Sequence, residues 1–238
     1  MLKICRRTLA AGVATLALVA AVPVLGQGKT LKFVQNGNLT ILDPIWTTAY
    51  VTRDHGYMIY DTLFSTDEKN EVKPQMVEKY DVSADKLTWT FTLRDGLVWS
   101  DGKPVTSEDC IASIKRWAAR DSMGQKMMGS VASLEKVDDK TFKMNMKEPY
   151  GLVLQSLGKP SSNVPFMMPK KTAETDPMQQ IKLEDVIGSG PFVFVAGHVV
   201  RNSQVLLAIE PDNFLERFVG AVEVLVFDVQ HRIDPALF

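Results

Sequence analysis

The stretch from Leu87 to Arg120 constrains the fold most, because two different hydrophobic periods follow one another within it. From 87 to 93 large apolar residues alternate with threonines, a period of two that predicts a half-buried β-strand. An apolar run at 97–99, set between two glycine-containing turns, predicts a second short strand. Thr106 and Asp109 have the spacing of a helix capping box, and apolar residues then recur at helical spacing. The stretch therefore predicts strand, turn, strand, turn and a capped helix that ends near Arg120.

The sequence of residues 85–117, DKLTWTFTLRDGLVWSDGKPVTSEDCIASIKRW, resembles the signature of the family 5 extracellular solute-binding proteins. These are the peptide-, dipeptide- and nickel-binding components of bacterial ABC importers. The LDP loop at 42–44, the YDTLF segment at 60–64 and the GSGPF box at 188–192 resemble the same family. Cys110 departs from the aliphatic residue usual there, but a free cysteine packs as a small apolar group. The resemblance covers roughly Leu31 to Val195 and fails beyond it.

The resemblance implies an α/β fold, namely a type II periplasmic-binding-protein-like lobe with a mixed sheet and flanking helices. Full-length members build a first lobe from both ends of the chain and insert a second lobe between them, and this chain is expected to lack the second lobe. The expected divisions are a signal peptide at 1–26, the first part of lobe one at 27–61, an inserted α/β subdomain at 62–170, and a return to lobe one with an atypical truncated tail at 171–238.

The first residues have the build of an export signal. Lys3, Arg6 and Arg7 precede an apolar run from Leu9 to Val22, which is shorter than the ~20 residues that a membrane span needs. Small residues then offer a cleavage site before residue 27. We therefore expect export to the periplasm. Only one cysteine would remain in the mature chain, so no intramolecular disulfide is expected.

Local patterns predict the remaining elements. In chain order these are a strand at 30–35, a helix at 49–61 weakened by Gly56, a short helix at 72–80, a loop marked by Gly124 and Gly129, a hairpin of 131–137 with 141–146, a helical turn or two at 152–157, an extended segment at 164–169, a partly helical segment at 171–186, a tight turn at 187–192 leading into a strand that ends at 195, and strands at 206–209 and 222–229.

Composition and spacing argue against several functions. The net charge of -1 gives no reason to expect a nucleic-acid or membrane-surface partner. His55, His198 and His231 are isolated and fit no metal-ligand spacing. The glycines at 188 and 190 flank their serine directly, unlike a G-x-S-x-G nucleophile elbow, and no pair of carboxylates stands out. We therefore expect no metal, no cofactor and no enzymatic activity.

The candidate ligand-binding residues come from two segments. The loop after the first strand is where ligand-facing residues occur in open α/β lobes, although a hydrophobic contact would also explain Trp46 and Tyr50. For the second segment the family resemblance implies backbone that lines the cleft, and a plain tight turn is the alternative. The predicted residues are Asn38, Trp46, Thr47, Tyr50, Ser189 and Gly190.

The resemblance implies a periplasmic solute-binding protein of an ABC importer. Such a protein binds peptides or related small solutes between two lobes and presents them to an inner-membrane ABC permease complex. The alternative is a truncated, non-binding remnant without transport function, since a cleft with one wall buries much less of a ligand. An exported hydrolase is a third possibility, and no constellation of residues supports it.

Overall fold

The computed structural model describes residues 29–32, 37–195, 205–208 and 223–227. The signal-peptide prediction, His198 and His231 lie outside these residues, as does the rest of the first predicted strand. The elements are β1 (Lys29–Lys32), α1 (Tyr50–Ile59), β2 (Phe64–Thr66), β3 (Val72–Pro74), β4 (Val77–Val82), β5 (Thr88–Leu93), α2 (Ser107–Arg120), α3 (Ser122–Ser130), β6 (Val131–Lys136), β7 (Thr141–Met146), α4 (Val153–Leu157), α5 (Lys170–Ala173), a short 3₁₀ helix (Leu183–Asp185), β8 (Val193–Val195), β9 (Val205–Ala208) and β10 (Glu223–Phe227).

Within the described residues the strands form three sheets. One sheet has the order β1-β10-β9-β8, in which β1 and β10 are parallel and the other pairs antiparallel, so the predicted mixed sheet is confirmed. Strands β2 and β3 form a two-stranded ribbon. The third sheet is antiparallel with the order β4-β5-β7-β6, and it contains the predicted hairpin. The chain is therefore a mixed α/β protein, as expected.

The core forms where α2 packs on the β4-β5-β7-β6 sheet. Phe91 and Leu93 of β5 are buried, and the Phe91 ring stacks on Phe142 of β7 with centroids 5.1 Å apart. Trp89, one position further out on the same face, is half-buried. Cys110 on α2 is fully buried, and burial raises the pKa of its thiol. The alternation of β5 thus predicted which side of the sheet faces the core.

The capping box at the start of α2 is confirmed. The Asp109 carboxylate accepts from the Thr106 amide at 2.7 Å, and the Thr106 hydroxyl accepts from the Asp109 amide at 3.4 Å. Both orphan donors of the first turn are thereby satisfied. The helix ends at Arg120, where the apolar spacing predicted its end.

The short helix predicted at 72–80 is wrong, because the segment forms β3 and the start of β4. The amides of Gln75 and Met76 donate to the carbonyls of Leu63 and Thr62, which draws the chain into an extended course beside β2. Pro74 ends a strand of the two-stranded ribbon, where the missing N–H of proline is tolerated. Contacts with a distant segment therefore override the local pattern.

Two other local expectations are also corrected. The residues expected to form a loop at Gly124 and Gly129 form α3, since the Asp121 carboxylate accepts from the amides of Met123 and Gly124 at 3.0 Å each and caps the helix. The apolar run at 97–99 makes only an isolated bridge between Val98 and Pro104 instead of a strand.

The remaining expected helices and strands are present among the described residues. Helices α1, α4 and α5, the extended 164–169 segment, and strands β8, β9 and β10 all lie where the patterns place them. Gly56 does not interrupt α1. A Cβ there would lie 2.8 Å from the Phe166 ring, so the glycine permits close packing. In the part of the chain that the structure describes, no helix is long and apolar enough to span a bilayer.

Candidate functional site

Four of the six predicted ligand residues lie at the N-terminal end of α1. Trp46 and Thr47 are in the loop that precedes the helix, and Tyr50 is its first residue. The position of a Cβ on Gly37 is 3.3 Å from Cγ1 of Val51, which brings the exposed Asn38 beside the first helical turn. Tyr50 is 68% exposed, so its ring faces solvent and is available to a ligand.

The loop before α1 is shaped by Asp43. Its Oδ1 accepts from the amides of Ile45 at 3.1 Å and Trp46 at 3.2 Å, as in an Asx turn. The hydroxyl of Thr47 accepts from the Ala49 amide at 3.2 Å. Through these local bonds Asp43 acts as a turn acceptor, and the bonds fix the backbone of Trp46.

Asp43 also forms a buried ion pair that the sequence did not predict. Nη1 and Nη2 of Arg116 lie 3.1 and 2.7 Å from the two carboxylate oxygens of Asp43, and both side chains are 1% exposed. The Ile181 amide donates to Oδ2 at 3.0 Å. A bidentate pair of this kind is geometrically specific. It joins α2, the loop before α1 and the segment near residue 181.

A second arginine of α2 contacts Trp46 directly. Nη2 of Arg120 donates to the Trp46 carbonyl at 2.7 Å, and the guanidinium carbon lies 5.9 Å from the centroid of the Trp46 ring. The indole Nε1 donates to the Met178 carbonyl at 3.4 Å. Trp46 is therefore held between α2 and the segment around 178, with its side chain half-buried.

Asn163 holds the same loop from another direction. Its Nδ2 donates to the carbonyls of Ile45 at 2.9 Å and Thr47 at 3.0 Å, and its own carbonyl accepts from Nε1 of Trp117 at 2.7 Å. Nearby, Lys159 pairs with the buried Asp121 at the junction of α2 and α3. Sequence reasoning missed Arg116, Arg120 and Asn163, because each contacts a loop that is distant in the chain.

Ser189 and Gly190 lie at the opposite end of α1. The Gly190 amide donates to the Ile59 carbonyl at 2.9 Å, and the Ser189 hydroxyl donates to the Asp61 carboxylate at 3.0 Å. Helix α1 has 10 residues, and at a rise of about 1.5 Å per residue the two groups are separated by about 15 Å along its axis. The six predicted residues therefore form two groups.

The tight turn predicted over 187–192 is reduced to a bend at 190–192, and the glycines of the GSGPF box permit a close approach to α1. Neither Gly188 nor Gly190 has a positive φ. A Cβ on Gly188 would lie 1.8 Å from the Ile59 oxygen, and one on Gly190 would lie 2.7 Å from the Ile59 carbonyl carbon. The segment thus runs against the last turn of α1 with its backbone in direct contact.

The surface around Trp46 and Tyr50 is an open face. The guanidinium of Arg53 lies 4.7 Å from the Tyr50 ring centroid, so each of the two aromatic rings has an arginine beside it. Aromatic faces, guanidinium groups and exposed amides can stack on and hydrogen-bond to a polar organic ligand. In the described part of the chain no three His, Cys, Asp or Glu residues converge as metal ligands.

Two cavities lie elsewhere on the surface. One, of about 470 Å³, is between α2, β6 and α5, and its lining includes Ile111, Leu134 and Lys170. The other, of about 420 Å³, is lined by residues such as Asp101, Leu183 and Phe194. None of the six predicted ligand residues lines either cavity.

Comparison with known proteins identifies relatives over most of the chain. The chain is 44% identical over 177 residues to a probable peptide ABC transporter periplasmic-binding protein of Sinorhizobium fredii, a match that covers 74% of this chain and 32% of the relative. It is 30% identical over 146 residues to the glutathione-binding protein GsiB of Salmonella typhi, covering 60% of this chain and 28% of GsiB. The chain thus spans about a third of the length of these relatives.

A solved structure shows the same fold. The murein tripeptide binding protein MppA of Escherichia coli superposes with a TM-score of 0.66 at 19% identity, covering 84% of this chain and 42% of MppA. Residues 71–229 match the model of the bacterial extracellular solute-binding proteins, family 5 Middle. The resemblance read from residues 85–117 is therefore confirmed, and the chain belongs to the family 5 bacterial extracellular solute-binding proteins.

Proposed function

We propose that this chain serves in solute capture for a bacterial ABC importer, binding peptides or related small solutes. The observation that carries the proposal is the 44% identity over 177 residues to a protein named as a probable peptide ABC transporter periplasmic-binding protein. The same relationship supports a periplasmic location, binding without covalent chemistry, and an inner-membrane ABC permease complex as the partner.

The geometry at the N-terminal end of α1 supports a peptide as ligand. Trp46 and Tyr50 offer aromatic faces for side chains, while the Thr47 hydroxyl and the Asn38 amide can bond to a peptide backbone. Peptide groups are strong donors and acceptors, so a site for them needs such polar atoms beside apolar surface. We propose that these four residues contact the ligand.

Ser189 and Gly190 extend the proposed site to the other end of α1. Because the Ser189 hydroxyl donates its proton to Asp61, its oxygen can still accept from a peptide N–H. An extended chain advances about 3.3–3.6 Å per residue, so a ligand of four or five residues is needed to reach both groups. A dipeptide would reach only one of them.

Isothermal titration of the purified chain with di- to pentapeptides tests the proposal. We expect saturable binding of at least one peptide class, and we expect Trp46→Ala to raise the Kd roughly tenfold, as for a central aromatic contact. Val137→Ala is the matched control, since Val137 is 52% exposed at the tip of the β6–β7 hairpin.

Two results would count against the proposal. If a cooperatively folded chain bound no peptide in the pool, the non-binding alternative would be favoured. If Trp46→Ala and Val137→Ala had equal effects on the Kd, the ligand would bind elsewhere on the chain.

A further inference from the structure

We propose that Arg116 and Arg120 are positioning residues, which fix the orientation of the Trp46 indole at the candidate site. The two arginines are four residues apart on α2 and therefore lie on the same side of the helix, one turn from each other. Both bond to the loop that carries Trp46. For its functional meaning the inference rests on the proposed function, whereas the geometry stands independently.

Arg116 fixes two segments in relation to each other. Besides its bidentate pair with Asp43, it donates from Nε to the Thr175 carbonyl at 3.2 Å and from Nη2 to the Gln179 carbonyl at 3.1 Å. The loop before α1 and the 175–181 segment are thereby held by one planar group. Trp46 lies between these segments, because its amide bonds to Asp43 and its indole to the Met178 carbonyl.

Arg120 acts on Trp46 itself. Its guanidinium bonds to the Trp46 carbonyl and lies over the indole with its carbon 5.9 Å from the ring centroid, within cation–π range of the same residue. A planar guanidinium can do both, whereas the compact ammonium of lysine cannot stack in the same way. Arg120→Lys should therefore keep the charge and lose most of the orientation.

A buried ion pair contributes little stability compared with apolar side chains of the same volume. What the Arg116–Asp43 pair supplies is directional bonding, since its two partners fix distance and angle together. The loop before α1 already has its own turn bonds from Asp43 and Thr47. The arginines fix the position of that loop relative to the 175–181 segment. Because Trp46 bonds to both, this relative position determines where the indole lies.

The orientation of Trp46 can be measured without any ligand. The sequence contains four tryptophans, so the chain labelled with 5-fluorotryptophan gives separate ¹⁹F signals, and Trp46→Phe identifies the Trp46 signal. We expect Arg120→Met to shift and broaden that signal while the signal of the buried Trp99 stays in place. Arg120→Lys should give most of the same shift. Lys115→Met is the matched control on the exposed side of α2.

The consequence for binding is tested by a double-mutant cycle on the Kd of a bound peptide. We expect Arg120→Met to raise the Kd roughly fivefold to tenfold in the wild-type chain and to have little effect in a Trp46→Leu background. Asp43→Asn keeps the side-chain shape and an Oδ1 acceptor for the Trp46 amide but weakens the pair with Arg116, so it should also shift the Trp46 ¹⁹F signal. It provides a second test that does not require removal of Arg116.

The outcomes separate this inference from the proposed function. An unchanged Trp46 signal in Arg120→Met, or an equal shift of all four tryptophan signals, would overturn the positioning role whether or not the chain binds peptide. Additive effects on the Kd would show that Arg120 does not act through Trp46. A wild-type chain that binds no peptide would overturn the proposed function, while the ¹⁹F result would still decide the positioning role.

Discussion

The carbonyl oxygen of Ile59 lies 1.8 Å from the position that a Cβ on Gly188 would occupy. No side chain can be placed that close to a backbone oxygen, so the segment beside the end of α1 requires glycine for space. The Gly188 carbonyl in turn accepts from the Ser100 amide at 2.8 Å, which ties the same segment to the turn before α2. Gly188 thus lies where three parts of the chain meet.

Gly188→Ala should destabilise the fold, because the added methyl group forces the 187–190 segment away from Ile59. We expect a loss of about 3 kcal/mol in the free energy of unfolding, at the upper end of the usual cost of overpacking. Urea denaturation measures this loss. Gly129→Ala is the matched control, since a Cβ there meets nothing within 4 Å and the residue lies in α3. It should be neutral or stabilising by about 0.5–1 kcal/mol. Equal effects of the two substitutions would contradict the close approach.

Thr106→Ala should weaken the start of α2. The substitution removes the side-chain acceptor for the Asp109 amide, and loss of an N-cap of this kind costs about 1 kcal/mol. Thermal and urea unfolding provide the measurement. Thr106→Ser keeps the hydroxyl and should retain most of the stability. If Thr106→Ser and Thr106→Ala lowered the free energy of unfolding equally, the loss would come from the methyl group of Thr106 and not from its capping hydroxyl.

The elements that could be predicted are those whose cause lies within a few residues. Strand β5 and the start of α2 could be predicted, since the alternation of side chains in β5 and the capping by Thr106 and Asp109 depend only on neighbouring residues. The segment 72–80 could not be predicted in this way, because its backbone partners are the carbonyls of Thr62 and Leu63. Glycine at 188 is compatible with either a turn or a close contact, and only the position of Ile59 decides between them.

In the candidate site, too, the residues whose role depends on neighbouring sequence could be predicted, and those whose role depends on distant contacts could not. Trp46 and Tyr50 could be proposed as ligand residues because they lie in or beside a polar loop after the first strand, and the structure brings them together at the start of α1. Arg116 could not be assigned, since its partner Asp43 lies 73 positions away in the sequence. From residue type alone Arg116 is expected to be exposed, because an arginine is rarely buried unless it is paired. The burial of Arg116 could be predicted only by knowing that Asp43 lies beside it in the fold.

Stability should fall in mildly acidic solution because of His55. Burial lowers the pKa of this imidazole from 6.5 to about 4. Between these two pKa values the unfolded chain binds a proton at His55 that the folded chain does not. The contribution of neutral His55 to the free energy of unfolding is therefore complete above pH 6.5 and is lost as the pH falls toward about 4. The slope of this contribution is about 1.4 kcal/mol per pH unit.

The comparison of wild type with His55→Gln isolates that contribution. Free energies of unfolding are measured by urea at several pH values between about 4 and 7, and the difference between the two proteins removes titrations common to both. We expect the difference to change through this window and to level off above it. A difference that is independent of pH would show that the imidazole titrates normally in the folded chain.

Ser189→Ala should affect long ligands more than short ones. The two groups of proposed ligand residues are about 15 Å apart along α1, which an extended pentapeptide can span and a dipeptide cannot. We expect a severalfold rise in the Kd of a pentapeptide and an unchanged Kd for a dipeptide that binds beside Trp46. Calorimetric titration with a length series of one repeated sequence gives both values. Equal changes at every length would place both groups in contact with the same short ligand.

The pairing of β1 with β10 has a consequence for how the chain folds. Lys29 is the register partner of Glu223, so the two strands that lie side by side at one edge of the sheet are almost the whole chain apart in sequence. Contacts of such high sequence separation form late and slowly, because the loop between them must be ordered first. During synthesis β1 emerges long before its partner exists. Because β1 pairs only with β10 among the described residues, the mixed sheet can be completed only after the residues up to Phe227 have been synthesised.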